Sequence, residues 1–290
     1  MGHCDAAILP DRGVVRVGGA DASKFLQGLI TSNMESARDG TAIHAALLSP
    51  QGKILFDFFV VPAADGFLLD SPRSAAGELA KRLGFYRLRA EVTITEESGF
   101  AVAAAWGEAP PAQGGVIAYP DPRLPDLGTR MLLPVGAGIE ALSCSAGSDA
   151  DYHALRIGLG VPEGGRDFIY GDTFPHEALL DQLHGVDFAK GCFVGQEVVS
   201  RMEHRGTARK RIVKVEGNAA LPLPGTEVEA GGATIGRLGS VSGTSGLALL
   251  RLDRATETLA SGKSLVAGGV SLRLVRPAFV RFDVPTAASG

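Results

Sequence analysis

After Lys210 the chain changes texture. Short β-prone runs at 212–216, 226–230, 234–241, 247–252 and 270–275 follow one another, punctuated by glycine-rich turns. That is the pattern of a small antiparallel β-barrel, although spacing alone leaves a β-sandwich equally open.

Upstream the reading is mixed α+β. Residues 13–17 read as a strand, followed by a helix from Asp21, whose carboxylate is expected to cap the amides of Ser23 and Lys24. Phe25, Leu26, Leu29 and Ile30 form its apolar face. Runs at 42–48 and 53–61 flank Ser49-Pro50-Gln51-Gly52, where proline presets a turn and glycine tolerates a left-handed position, so they predict a hairpin. A third strand at 67–70 leads to Ser71-Pro72, which predicts a capped helix with Leu79 and Leu83 at helical spacing. Strands are expected at 90–95 and 100–106, and Arg87 and Arg89 read as alternating on a strand, toward a ligand tail or toward water. Residues 107–128, rich in proline, glycine and aspartate, predict a long surface connection. Helical patterning returns at 150–157, with Ser148 or Asp149 as cap, and again at 175–183.

Size and charge set bounds. A chain of 290 residues exceeds a usual single domain, and the change of texture puts a boundary between 1–210 and 211–285. A net charge of −4 argues against a nucleic-acid or membrane surface as the main partner and favours a small ligand or a protein. Three distant cysteines, Cys4, Cys144 and Cys192, with no C-x-x-C, spell neither a disulfide framework nor a zinc site. His44, His153 and His184 lack metal-ligand spacing. The best apolar run, 54–61, is interrupted by Asp57 and stopped by Pro62, and no basic-then-apolar leader opens the sequence. A soluble, cytoplasmic protein is expected.

The densest chemistry lies in Lys190-Gly191-Cys192-Phe193-Val194-Gly195-Gln196-Glu197. A cysteine between glycines, beside a lysine and ahead of a helix start, has the setting of an activated thiol; a buried core cysteine flanked by turn glycines fits these residues as well. Asp57 is the second candidate. An acid inside an apolar run is costly unless it is paired or faces a cavity, the alternative being a strand position that faces water.

The octapeptide resembles the K-G-C-[FY]-x-G-Q-E signature of the YgfZ family, folate-binding proteins of iron–sulfur cluster maintenance related to the glycine-cleavage T-protein. Further segments are similar in order and spacing: Phe25 to Thr31, Leu48 to Asp57, Tyr86 to Val92, Arg156 to Asp167 and Phe174 to Leu180. The likeness covers about the first two thirds of the chain and is nearest to the mitochondrial-type branch. It implies two interwoven α+β units around a central folate-binding hole, then a closed barrel.

It also implies tetrahydrofolate as cofactor, possibly polyglutamylated in form, with Asp57 accepting the pterin's donor pair. Glu177, Lys190, Gly191, Gln196 and Arg201 are the further folate-binding candidates, Arg201 heading a basic run that suits the glutamate tail or forms a solvated face. Cys192 is the expected working thiol, a soft transient ligand for iron or a cluster, and a lone cysteine is too few for a permanently bound metal. Iron–sulfur client or assembly proteins are the implied partners. Aminomethyl transfer or demethylation, with Asp57 catalytic, is the alternative; Phe56-Asp57 in place of the T-protein's Asp-Asp pair and Gly158 in place of its glutamate weigh against it. A folate-sensing binding module is a third reading.

Overall fold

A computed structural model describes residues 3–108, 114–142, 144–206 and 208–286. The chain divides into two compact units, residues 1–152 with 183–196 and residues 153–182 with 197–290. It therefore leaves the first unit and returns to it with the cysteine motif.

In the first unit the strands are β1 (Cys4–Ile8), β2 (Arg12–Gly18), β3 (Ile43–Leu48), β4 (Ile54–Ala63), β5 (Gly66–Pro72), β6 (Thr93–Glu97), β7 (Phe100–Gly107), β8 (Ile117–Pro120), β9 (Thr129–Pro134) and β10 (Ser145–Ala146). Helices α1 (Ala22–Gln27) and α2 (Arg73–Tyr86) lie among them, and α3 (Asp149–Leu159) leads out. Two five-stranded sheets result, ordered β3-β4-β5-β2-β6 and β10-β1-β7-β9-β8. Alternation in β2 and β5 turns Val15, Val17 and Leu69 toward Ala76, Leu79 and Leu83 of α2 and Leu26 and Ile30 around α1. Each leucine fully removed from water there contributes about 2 kcal/mol. A second core joins the sheets, with Val14, Phe59 and Leu68 from one meeting Val102, Tyr119 and Leu132 from the other.

The predicted hairpin is present as β3 and β4, with Ala46 opposite Asp57 and His44 opposite Phe59. Several local expectations need correction. Asp21 does not cap α1; its Oδ2 accepts the Glu91 amide at 2.8 Å, tying down the segment that leads into β6. Ser71 and Pro72 end β5, and Pro72 stands at the N-cap of α2, which begins at Arg73 with no side-chain cap and no proline in its first turn. Arg87 and Arg89 lie on no strand, because Arg87 is the C-cap of α2 and Leu88 takes a φ of +44°, which breaks extended pairing. The connection at 107–128 contains β8, paired to β9, while its residues 109–113 lie outside the described residues. Ser148 is the cap of α3: its Oγ accepts the Asp151 amide while Asp151 Oδ2 accepts the Ser148 amide, a reciprocal capping box.

The cysteine count also misled. Cys4 and Cys144 form a disulfide across 140 residues of sequence. Parallel pairing of β1 with β10, which puts Asp5 opposite Ser145, brings the two together, and no local spacing signals it.

The second unit holds α4 (Gln196–Arg205) and the strands β11 (Lys210–Gly217), β12 (Glu227–Ala230), β13 (Ala233–Ser242), β14 (Ser245–Arg251), β15 (Leu265–Ala267) and β16 (Val270–Val275). They close into a barrel in the order β11-β14-β13-β12-β15-β16, because β11 pairs with both β14 and β16; that closure excludes the sandwich. Helix α5 (Leu252–Ala260) was not foreseen; its Ala255 and Leu259 join the barrel core. Residues 175–183 form turns instead of the expected helix, with Leu179 at a φ of +63°. Arg156 fastens this segment to β13 by donating to Asp167 Oδ2 at 2.8 Å and to Ser240 Oγ at 2.6 Å.

Candidate functional site

The returning segment, Leu183 to Gln196, is bound into the first unit at three levels. Thr31 is the first: its hydroxyl donates to the Gly185 carbonyl at 2.6 Å and accepts the Ala46 amide at 2.8 Å, while its carbonyl accepts the Asp187 amide. Asp187 is the second. Its Oδ1 accepts the amides of Ala189 and Lys190, an Asx turn that fixes the approach to the cysteine.

Lys190 is the third. Its ammonium donates to the carbonyls of Gln27, Ile30 and Ser32 at 2.8, 2.6 and 3.0 Å, closing the C-terminal end of α1. The side chain is 6% exposed. Burial pushes its ammonium down to about 8, against the opposing pull of the Asp187 carboxylate. All three donors are thereby committed to the end of α1 and the residues just after it, so Lys190 anchors the loop.

Beyond this anchor the chain turns outward. Gly191 and Cys192 are exposed, and Cys192 is the one free cysteine. Gln196 closes the turn by accepting the Phe193 amide at 3.3 Å. Gly195, at a φ of +80°, lies against the tip of the β3–β4 hairpin, where an added Cβ would stand 2.5 Å from the Ser49 carbonyl oxygen. Only glycine permits that approach. Cys192 thus sits on a short loop held rigidly at both ends, its sulfur open to a reactant or a soft metal.

Upstream of the loop, the returning segment contributes His184, Val186 and Phe188 to a cleft of about 340 Å³ that Ser32, Asn33, Ile43 and His44 also line. His44 connects the cleft to Asp57: its Nε2 lies 3.5 Å from Asp57 Oδ2 and its Nδ1 3.3 Å from the Leu183 carbonyl. Strand pairing explains the meeting, since His44 and Ala46 share a face of β3 and Asp57 stands opposite Ala46. Asp57, partly buried, therefore faces a histidine within the protein.

Sequence reasoning missed the charged layer around Phe59. Asp70, fully buried, accepts from Arg12 Nε at 2.7 Å and Arg130 Nη2 at 2.6 Å, and Tyr119 donates to it at 3.1 Å. Arg123 pairs with Asp121, and the guanidinium groups of Arg12, Arg123 and Arg130 all lie within 5.7 Å of the Phe59 ring centroid. Burial would raise Asp70, but Arg12 and Arg130 hold its carboxyl below the usual range; Arg123 and Arg130 do the same for Asp121. Arg12, Phe59, Asp70, Tyr119 and Arg130 come from strands far apart in sequence, and Asp121 and Arg123 from the β8–β9 connection, so no motif spacing announces the layer.

Glu177 and Arg201 belong to the second unit. The Glu177 carboxylate accepts the Phe174 amide at 2.9 Å, and Arg201 pairs with Glu197 one turn earlier on α4. His176, Asp181 and Glu203 also gather there, but Arg211 donates to both Asp181 oxygens, so a cation already occupies that carboxylate.

Comparison with known proteins decides the family. Residues 209–282 match the model of the CAF17 C-terminal β-barrel domain. The chain is 32% identical to the mitochondrial iron–sulfur cluster assembly factor IBA57 homologue of Chaetomium globosum, over 89% of this chain and 74% of that relative. It is 34% identical to human mitochondrial iron–sulfur cluster assembly factor IBA57, over 83% and 76%. The chain belongs to the IBA57 family of iron–sulfur cluster assembly factors.

The YgfZ-type resemblance of the cysteine motif is thereby upheld. The fold is that of the T-protein: the glycine cleavage system aminomethyltransferase T of Bartonella henselae superposes with a TM-score of 0.77 at 17% identity, covering 98% of this chain and 88% of that one. Two sheets followed by a six-stranded antiparallel barrel are common to this architecture. The expected cytoplasmic location is overturned, since these IBA57 relatives are mitochondrial proteins. One ground for that expectation, three unpaired cysteines, had already failed with the Cys4–Cys144 bond.

Proposed function

We propose that this IBA57 homologue binds a reduced folate and uses the Cys192 thiolate as a transient ligand for iron or a cluster in transit to a client protein. The observation that carries the reading is the exposed, free Cys192 on a loop pinned by Lys190 and Gly195. One sulfur cannot hold a cluster by itself, so the cargo is shared with a partner protein that completes its ligand set.

The folate part of the reading draws on the neighbouring cleft. Its volume suits a small ligand, and it combines the apolar walls of Ile43, Val186 and Phe188 with polar groups from Ser32, Asn33 and His184. Asp57, the carboxylate expected to accept a pterin's paired donors, lies 3.5 Å from His44, which lines the cleft. Gln196 and Gly191 shape the loop that carries Cys192. Tetrahydrofolate, when bound, supplies one-carbon and reducing chemistry, while the residues of this chain orient it and expose the thiol.

The test is Cys192→Ser. We expect unchanged circular dichroism and unchanged tetrahydrofolate affinity by calorimetry, with maturation of an iron–sulfur enzyme lost in cells that depend on this chain. Full maturation by the variant removes the thiol from the reading, and a flat calorimetric titration of the wild type removes the folate.

A further inference from the structure

The end of α2 carries a feature that neither the cleft nor the cysteine loop uses. Phe85 is 66% exposed and Leu88 91% exposed, the latter the most exposed large apolar side chain among the described residues. Lys81, Arg82, Arg87 and Arg89 surround them and are all exposed. Among the described residues no carboxylate pairs with Arg82, Arg87 or Arg89, and Lys81 has only the exposed Glu78 at 3.8 Å.

The backbone adds a second observation. The Ala90 amide donates to the Arg87 carbonyl at 2.8 Å, closing a turn in which Leu88 holds a φ of +44°. Glycine, asparagine or aspartate takes such a position at little cost, and leucine does not. Here a strained residue also delivers its side chain to water instead of to a core. Strain of this kind persists where a binding position requires the side chain.

We propose that this tip docks a partner protein that presents acidic residues around an apolar pocket. Aromatic and arginine side chains are the residues that dominate interface energetics, and here two apolar anchors stand within a ring of four cations. The chain as a whole carries −4, so the tip reverses the overall sign locally and steers an acidic surface to it. Membership of the iron–sulfur assembly family makes an assembly or client protein the occupant. The proposal does not depend on folate or on Cys192.

The test places a photo-crosslinking amino acid at position 88 of the full chain in cells lacking the native gene. The adducted protein is then identified, purified without metal and titrated by calorimetry against four chains: wild type, Leu88→Gly, Phe85→Ser and Arg87→Glu/Arg89→Glu. We expect an acidic iron–sulfur protein whose affinity drops about tenfold or more with each variant, and whose wild-type binding weakens with salt. Leu88→Gly should unfold at a higher temperature than wild type while binding worse, a pairing that damage to the fold cannot produce. Cys192→Ser should bind like wild type, which separates this proposal from the thiol reading. Unchanged affinity in all three variants, or a basic adduct, overturns the proposal. So does wild-type binding to phosphatidylglycerol–phosphatidylethanolamine vesicles that the variants lose, since the occupant is then a membrane.

Discussion

Lys190 Nζ lies 2.6 Å from the carbonyl oxygen of Ile30 and forms the centre of a three-carbonyl cap that joins the cysteine loop to the end of α1. Methionine fills similar space but donates nothing, so Lys190→Met leaves buried carbonyls of Ile30 and Ser32 without a donor. A loss of about 3 kcal/mol is expected from unsatisfied groups of this kind. Urea unfolding checks it: the midpoint should fall while the slope stays fixed. Cys192 should also react faster with a bulky alkylating reagent, because the loop has lost its inner anchor.

Glycines 191 and 195 flank the same thiol yet make opposite demands. Gly195 stands at a φ of +80° with the Ser49 carbonyl 2.5 Å from where a Cβ would be, whereas a Cβ on Gly191 meets no atom within 4 Å. Gly195→Ala should cost about 2 kcal/mol or more and shift the loop off the hairpin, because both strain and overlap act there. Gly191→Ala should fall within about 0.5 kcal/mol of wild type. Paired thermal melts of the two variants make the comparison, and equal melting temperatures would contradict the packing described for Gly195.

Asp70 makes a pH prediction. Burial raises its carboxyl, but Arg12 and Arg130 outweigh burial and hold it below the ordinary value of 3.8. The folded state therefore binds this proton less readily than the unfolded chain does. The resulting stability is fully present above the unfolded value and is lost as pH falls below it toward the folded one. Asp70→Asn should flatten that acid limb of the stability curve. At neutral pH it should cost about 3–5 kcal/mol, since two buried guanidinium groups lose their carboxylate. Guanidinium unfolding at a series of pH values from neutral to acid measures both.

Apolar runs and turn residues carried much of this fold. The runs on either side of Ser49-Pro50-Gln51-Gly52 marked β3 and β4, β3 being buried along its whole length, and glycine-punctuated runs after Lys210 marked the barrel. What failed were features fixed by partners distant in sequence. Asp21 and Ser71 have cap chemistry, yet Asp21 answers to Glu91 and Ser71 to its place in β5. The motif around Cys192 was legible as chemistry, but Lys190's role was not: its acceptors lie some 160 positions upstream, where no local pattern points. The Phe59 layer was invisible for the same reason, its charges arriving from β2, β5, β9 and the β8–β9 connection.

The Cys4–Cys144 bond yields the last prediction. It closes a loop of 140 residues, and the chain-entropy account gives a crosslink of that span up to about 5 kcal/mol, from which native-state effects subtract. Cys4→Ser and Cys144→Ser should each lower stability by about 2–4 kcal/mol, and the double variant by no more than either single one, because the bond is lost once. Thiol counting supplies an independent check. The native chain should titrate one thiol, Cys192, and the chain unfolded in dithiothreitol three. Reduction should loosen the β1–β10 edge first, since that short parallel pair lies beside the bond. Hydrogen exchange should then show early loss of protection at Gly147, whose amide donates to the Ala6 carbonyl at 2.8 Å. Three titratable thiols in the native, unreduced protein would sink the assignment.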